Sequence, residues 1–125
     1  MRTKLQNLIE ELTRASKRFE EIVREKKNEI VRDSAIQRFE FTYELAWKTL
    51  KAALEEKGVK ELYSPRDVFK AAFQNGIIEN DPTWLDMIDT RNMTSHLYKE
   101  SMADDVYVKL PGYLKLFKKL VKKLE

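Results

Sequence analysis

The chain has 125 residues, of which 42% are hydrophobic and 36% charged, with a formal net charge of +3. That length suits one domain able to bury about two thirds of its unfolded surface. No cysteine is present and histidine occurs once, which excludes disulfides, a thiol nucleophile and a cysteine-based metal site and leaves no expectation of a bound metal or cofactor.

Abundant Lys, Glu and Leu with only 3 Gly and 3 Pro read as an all-helical protein. There is no apolar run near membrane-spanning length and no signal-peptide pattern. The expectation is a soluble, cytoplasmic protein with no membrane partner. A net charge of +3 is too small to imply nucleic-acid binding by itself.

Leu5, Leu8, Ile9, Leu12, Ala15, Ser16, Phe19, Ile22 and Val23 recur at helical spacing and predict a first amphipathic helix over about 3–27. Lys26-Lys27-Asn28 has no apolar residue and suits a turn, and Asp33-Ser34 offer an N-cap for a second helix. That helix carries Ile36, Phe39, Tyr43, Ala46, Trp47, Leu50, Ala53 and Leu54, with Phe41 and Leu45 off the stripe, and ends at Gly58. Its broad apolar face predicts two or more packing neighbours or a subunit interface. Trp47 and Trp84 are read as core anchors rather than ligand platforms. Glu40 and Glu44 are read chiefly as ion-pair partners of Arg38 and Lys48, with a role facing a partner or Arg91 as the alternative.

Ser64-Pro65-Arg66-Asp67 predicts a helix start, Ser capping, Pro in the first turn and Asp behind it. The short helix bears Val68, Phe69, Ala72 and Phe73 and stops at Gly76. Asp81-Pro82 restarts the chain into a fourth helix with Trp84, Leu85 and Ile88 buried. The last helix begins after Ser101 with Val106, Leu110, Leu114, Phe117, Val121 and Leu124 inward. Pro111 lies within it and predicts a kink or break near Tyr107. Lys115, Lys118, Lys119, Lys122 and Lys123 lie opposite the apolar stripe, a solvated face first and an RNA or partner contact second. The whole predicts an up-and-down bundle of four to five helices, with residues 1–125 forming one domain.

One stretch stands apart from this bundle wall: Asp89-Thr90-Arg91-Asn92-Met93-Thr94-Ser95-His96-Leu97-Tyr98, which contains the only histidine. On an unbroken helix Arg91 and His96 would sit about 140° apart and not meet. A helix break near Met93-Thr94-Ser95, or a second copy of the chain across a twofold axis, brings them together. From spacing alone, a surface-exposed or satisfied histidine with an unrelated arginine is the plainer reading; brought together, the pair suits RNA cleavage without a metal. Histidine can remove the proton of the 2′-hydroxyl that attacks the neighbouring phosphate, and arginine can stabilise the developing charge. One histidine is little for both base and acid duties, and a dimer would supply two. Tyr98 by itself also reads as a partly buried aromatic at the bundle edge.

Two blocks, Gln37-Arg38-Phe39-Glu40-Phe41-Thr42-Tyr43-Glu44-Leu45-Ala46-Trp47-Lys48-Thr49-Leu50-Lys51 and Asp89 to Tyr98, followed by Tyr113-Leu114, resemble the HEPN superfamily. The closer likeness is to its nucleotidyltransferase substrate-binding subunits, which pair with minimal nucleotidyltransferases in toxin–antitoxin modules. The likeness covers about 5–124, and the R-x4-H-x-Y motif is intact. The resemblance implies Arg91 and His96 as the catalytic pair of a homodimeric, metal-independent endoribonuclease, with Asn92 as a supporting polar residue. It implies Tyr98 as the acceptor of AMP from the partner nucleotidyltransferase, an adduct that blocks the RNA groove. The alternative it carries is a non-catalytic substrate-binding or interaction subunit of a nucleotidyltransferase complex. The chain lacks the glycine-rich loop and paired-Asp pattern of the transferase itself.

Overall fold

The structure is a computed structural model that describes all residues from Met1 to Glu125. It contains six α-helices, one short 3₁₀ turn and no strand: α1 (Lys4–Val23), α2 (Glu29–Glu56), α3 (Pro65–Gln74), α4 (Thr83–Met93), the 3₁₀ turn (Thr94–His96), α5 (Glu100–Tyr107) and α6 (Leu110–Leu124). The all-α bundle expected from the sequence is present. All five predicted segments form, and the last is divided in two. No helix is long and apolar enough to cross a membrane.

Local chemistry sets the ends of these helices. Thr3 and Gln6 form a reciprocal capping box that starts α1. α2 begins five residues before the predicted Asp33-Ser34 cap, because Asn28 Oδ1 accepts from the Val31 amide at 2.8 Å and takes the cap instead. α1 correspondingly ends at Val23, short of residue 27. Ser64 caps α3 by accepting from the Asp67 amide at 3.2 Å, with Pro65 in the first position, as expected. Asp81 Oδ1 accepts from the Thr83 amide at 2.9 Å and opens α4. Gly58 and Gly76 follow α2 and α3 with φ of +83° and +72°, where a side chain would be strained.

α1 and α2 lie against each other along most of their length. Thr42 and Thr49 on α2 are buried, and each turns its hydroxyl onto a carbonyl of its own helix, Arg38 at 2.7 Å and Leu45 at 2.6 Å. Their small size brings α2 close to Ala15 and Leu8 of α1. Phe19, Phe39, Phe117 and Tyr113 form an aromatic centre, with Phe39 and Tyr113 stacked at 5.2 Å between ring centroids. Phe69 and Trp84 extend it, their centroids 5.1 Å apart. Trp84 is thus a core anchor, whereas Trp47 is half-buried and donates from Nε1 to Glu44 at 3.0 Å. Within α4 the inward residues are Trp84, Met87 and Thr90, while Leu85 and Ile88 are only partly covered. Phe73, placed inward by its spacing, is exposed, since α3 has a single covered face that Val68, Phe69, Ala71 and Ala72 fill.

Pro111 divides the C-terminal segment. α5 ends at Tyr107 and α6 starts at Leu110, with Pro111 in its first turn, where no amide is needed. The five lysines of α6 point outward. One of them, Lys118, pairs with Glu20 of α1.

Candidate functional site

The motif straddles the end of a helix. α4 stops at Met93, and Thr94–His96 tightens into the 3₁₀ turn, so the expected interruption at Met93-Thr94-Ser95 is present. Thr94 is the agent: its hydroxyl donates to the Arg91 carbonyl at 2.6 Å, a local bond that competes with helix propagation. Leu97 then packs against the core, and the chain turns outward before α5.

The break does not join Arg91 to His96 by a hydrogen bond within one chain. Arg91, in the last turn of α4, faces α2. Its Nη1 lies 3.0 Å from Glu40 Oε2 and donates to Thr94 Oγ1 at 3.1 Å. Its Nε lies 3.7 Å from Glu44 Oε1, and that nitrogen is buried without a hydrogen bond. His96 is exposed beside Tyr98, with Nδ1 at 3.4 Å from the phenolic oxygen and ring centroids 6.2 Å apart. Tyr98 is 84% exposed, which removes the reading of a partly buried bundle-edge aromatic. Asn92 is exposed, and its side chain makes no hydrogen bond.

Glu40 and Glu44 therefore differ from the role favoured by the sequence. Neither pairs with Arg38 or Lys48. Arg38 instead donates to the Arg18 carbonyl at 2.7 Å, and both carboxylates turn to Arg91. The signal was present in their spacing: positions 40 and 44 flank the buried positions 39 and 43, at the edge of the covered face. Next to them the Tyr43 phenol is pushed up to about 12, by burial first and by the Glu44 charge second, while Arg91 pulls the other way.

A cleft of 310 Å³ opens between the N-terminal half of α2, the 3₁₀ turn and α5, bordered by Arg32, Glu40, Thr94, Tyr98, Lys99 and Glu100. Arg32, which sequence reasoning passed over, is buried at its side. It bonds Asp33 at 3.0 Å and reaches Asp104 of α5 at 3.3 Å. Asp104 also meets Lys27 at 2.9 Å. Lys27, then Arg32, holds the Asp104 carboxyl below its ordinary value. Glu100 is held above its ordinary value by a hydrogen bond with Glu29 and by that residue's charge. A larger groove of 620 Å³ runs between α1 and α2 along Arg14, Arg18, Arg38 and the exposed Phe41, and meets the Arg91 cluster at Glu44.

This fold is that of a known class. The family model described as nucleotidyltransferase substrate binding protein like matches residues 4–125, and the chain belongs to that family. A crystal structure of a Thermus thermophilus protein superposes with a TM-score of 0.84 at 34% identity, covering 91% of this chain and 98% of that one. A Haemophilus influenzae structure, described as revealing the fold of a substrate binding domain of a nucleotidyltransferase, superposes with a TM-score of 0.83 at 27% identity, covering 93% and 98%. Among curated proteins, "Probable ribonuclease HepT" of Haemophilus influenzae is 34% identical over 84 residues, or 64% of this chain. The match spans 58% of that relative's length. The likeness read from the α2 and motif blocks is thereby borne out at the level of the family.

Proposed function

We propose that the protein is a metal-independent endoribonuclease of the HEPN type, a toxin silenced by a minimal nucleotidyltransferase that transfers AMP to Tyr98. The observation that carries this reading is the placement of His96 and Tyr98 together on an exposed turn, Nδ1 to hydroxyl 3.4 Å, directly after the helix that holds Arg91. The imidazole takes the proton of a 2′-hydroxyl. The freed oxygen attacks the adjacent phosphorus, the 5′-oxygen of the next nucleotide leaves with a proton, and a cyclic 2′,3′-phosphate results. Arg91 stabilises the charge on the non-bridging oxygens, with Asn92 as a polar support. DNA lacks the attacking hydroxyl and is spared.

A single chain offers one histidine, and Arg91 and His96 do not bond within it. A homodimer with two motifs in one cleft provides both base and acid. An AMP group on an 84% exposed phenol two residues from His96 puts a phosphate beside the imidazole and an adenine in the groove. The curated HepT relative, a probable ribonuclease, supports the same reading, and the family membership supports a nucleotidyltransferase partner under either reading.

The second reading is a non-catalytic subunit that presents substrate to a nucleotidyltransferase. It is favoured by the Glu40 and Glu44 carboxylates, which occupy Arg91 in the free chain. Incubation of purified protein with single-stranded RNA in the presence of a chelator separates the two. Cleavage to cyclic-phosphate ends, lost in His96→Ala, is expected. Equal inertness of wild type and His96→Ala, with Tyr98 unmodified by mass spectrometry, counts against the first reading and favours the second.

A further inference from the structure

Arg91 is held from two helices at once. From its own segment, Thr94 Oγ1 accepts from Nη1 at 3.1 Å. From α2, Glu40 meets the same nitrogen at 3.0 Å, and Glu44 faces Nε at 3.7 Å. Glu44 is itself oriented by the Trp47 indole, which donates to its other oxygen at 3.0 Å. Residues 40, 44 and 47 recur at one helical face, so α2 presents the carboxylates and the group that aims one of them as a single ridge. The Arg91 and Glu40 side chains are 27% and 29% exposed, a half-buried setting in which a carboxylate confines a guanidinium better than at the open surface. Every polar contact falls on Nη1 and Nε. Nη2 has no partner.

We propose that Glu40 is a positioning residue of the RNA-cleaving site and that Glu44, aimed by Trp47, assists it: together they fix the Arg91 guanidinium so that its Nη2 edge is presented to the substrate phosphate. This rests on the reading of Arg91 as the phosphate-binding group. A free arginine has many rotamers to lose when it grips a phosphate, and a pre-set one has lost them on folding. What Glu40 supplies is an oxygen within ion-pair reach of Nη1, at 3.0 Å. Glutamine at position 40 keeps an acceptor oxygen at the same reach, and alanine does not. A purely structural tie between α2 and α4 predicts something else, a loss of stability with the chemistry intact.

The test compares Glu40→Ala, Glu40→Gln and Thr94→Val with wild type in the full chain, each first checked for native near-ultraviolet dichroism. Two readouts are taken. ¹⁵N relaxation of the Arg91 Nε–Hε resonance reports whether the guanidinium is fixed. RNA cleavage kinetics report whether fixing it matters. In Glu40→Ala the Arg91 resonance is expected to become mobile, and kcat to fall by roughly tenfold or more with KM little changed. Glu40→Gln is expected to restore the order and most of kcat. Thr94→Val, acting from the other side, loosens the same resonance. An Arg91 resonance as rigid in Glu40→Ala as in wild type overturns the proposal, and so does unaltered kcat with a mobile Arg91. Wild type that cuts no RNA defeats the catalytic reading instead, and the relaxation data then still decide whether Glu40 holds Arg91. If Glu40→Ala does not fold, the same two readouts are taken on Glu44→Ala and Thr94→Val, with the same outcomes decisive.

Discussion

Thr90 of α4 and Tyr113 of α6 share a hydrogen bond of 2.6 Å inside the bundle, and the Tyr113 hydroxyl donates onward to Asp86 at 2.5 Å. Thr90 is the residue before Arg91, so this bond fixes how α4 is turned about its axis just where the motif begins. Burial first, and the bond to Asp86 second, raises the Tyr113 phenol above its ordinary range. Tyr113→Phe keeps the stacked ring and removes only the hydroxyl. The expected cost is about 1–2 kcal/mol, since the buried Thr90 loses a partner, read as a lower urea midpoint with an unchanged slope.

Tyr98 protrudes from the molecule, and its modification needs no unfolding. On the proposed function, co-expression with the partner nucleotidyltransferase is expected to add the mass of one AMP to wild type and none to Tyr98→Phe. The adduct is expected to abolish RNA cleavage. Its appearance on any other residue in intact-protein and peptide mass spectra would refute the assignment.

The link between α2 and α5 depends on pH. Asp104 has a native value below its ordinary one, so its contribution to stability is complete above the unfolded carboxylate value, about pH 4, and is lost as pH falls through the native value. Glu100, raised by Glu29, works in the opposite sense and offsets part of the loss. The difference in melting temperature between wild type and Asp104→Asn reports chiefly on the first group, with a smaller part from Glu100, which the Asp104 charge also raises. That difference is expected to be constant from pH 7 down to about 5 and to shrink below about 4.

Phe117 is fully buried, and its ring meets Phe19 at 5.9 Å and Trp84 at 6.1 Å between centroids. Phe117→Ala opens a cavity where α1, α2, α4 and α6 converge. The expected loss is about 3–5 kcal/mol in chemical unfolding, larger than for any substitution at the motif.

The parts of the fold that follow from local patterning were legible in the sequence. Ser64-Pro65 starts α3, and Pro111 breaks the last segment, because caps and proline act within a few residues. The interruption after Met93 was legible for the same reason, through Thr94. The start of α2 was misplaced because Asn28 and Asp33-Ser34 are equally good caps, and it is Asn28 that caps the Val31 amide. What Glu40 and Glu44 touch is a tertiary fact. Each has a cation four residues away or closer in sequence, and only the packing of α4 against α2 supplies a better one. Arg32 was missed since a cation on an apolar stripe gives no hint of an acid 72 positions later.

α2 serves as a measuring rod for the motif. Two turns of this one helix separate Arg32, which fastens α5, from Glu40, which fastens Arg91, so the loop bearing His96 and Tyr98 hangs between two points ruled on the same stick. A single residue inserted between Asp33 and Phe39 would leave every side chain available and swing one point by about 100° around the axis from the other. The reading frame of that short span, more than the identity of most residues in it, governs the shape of the cleft.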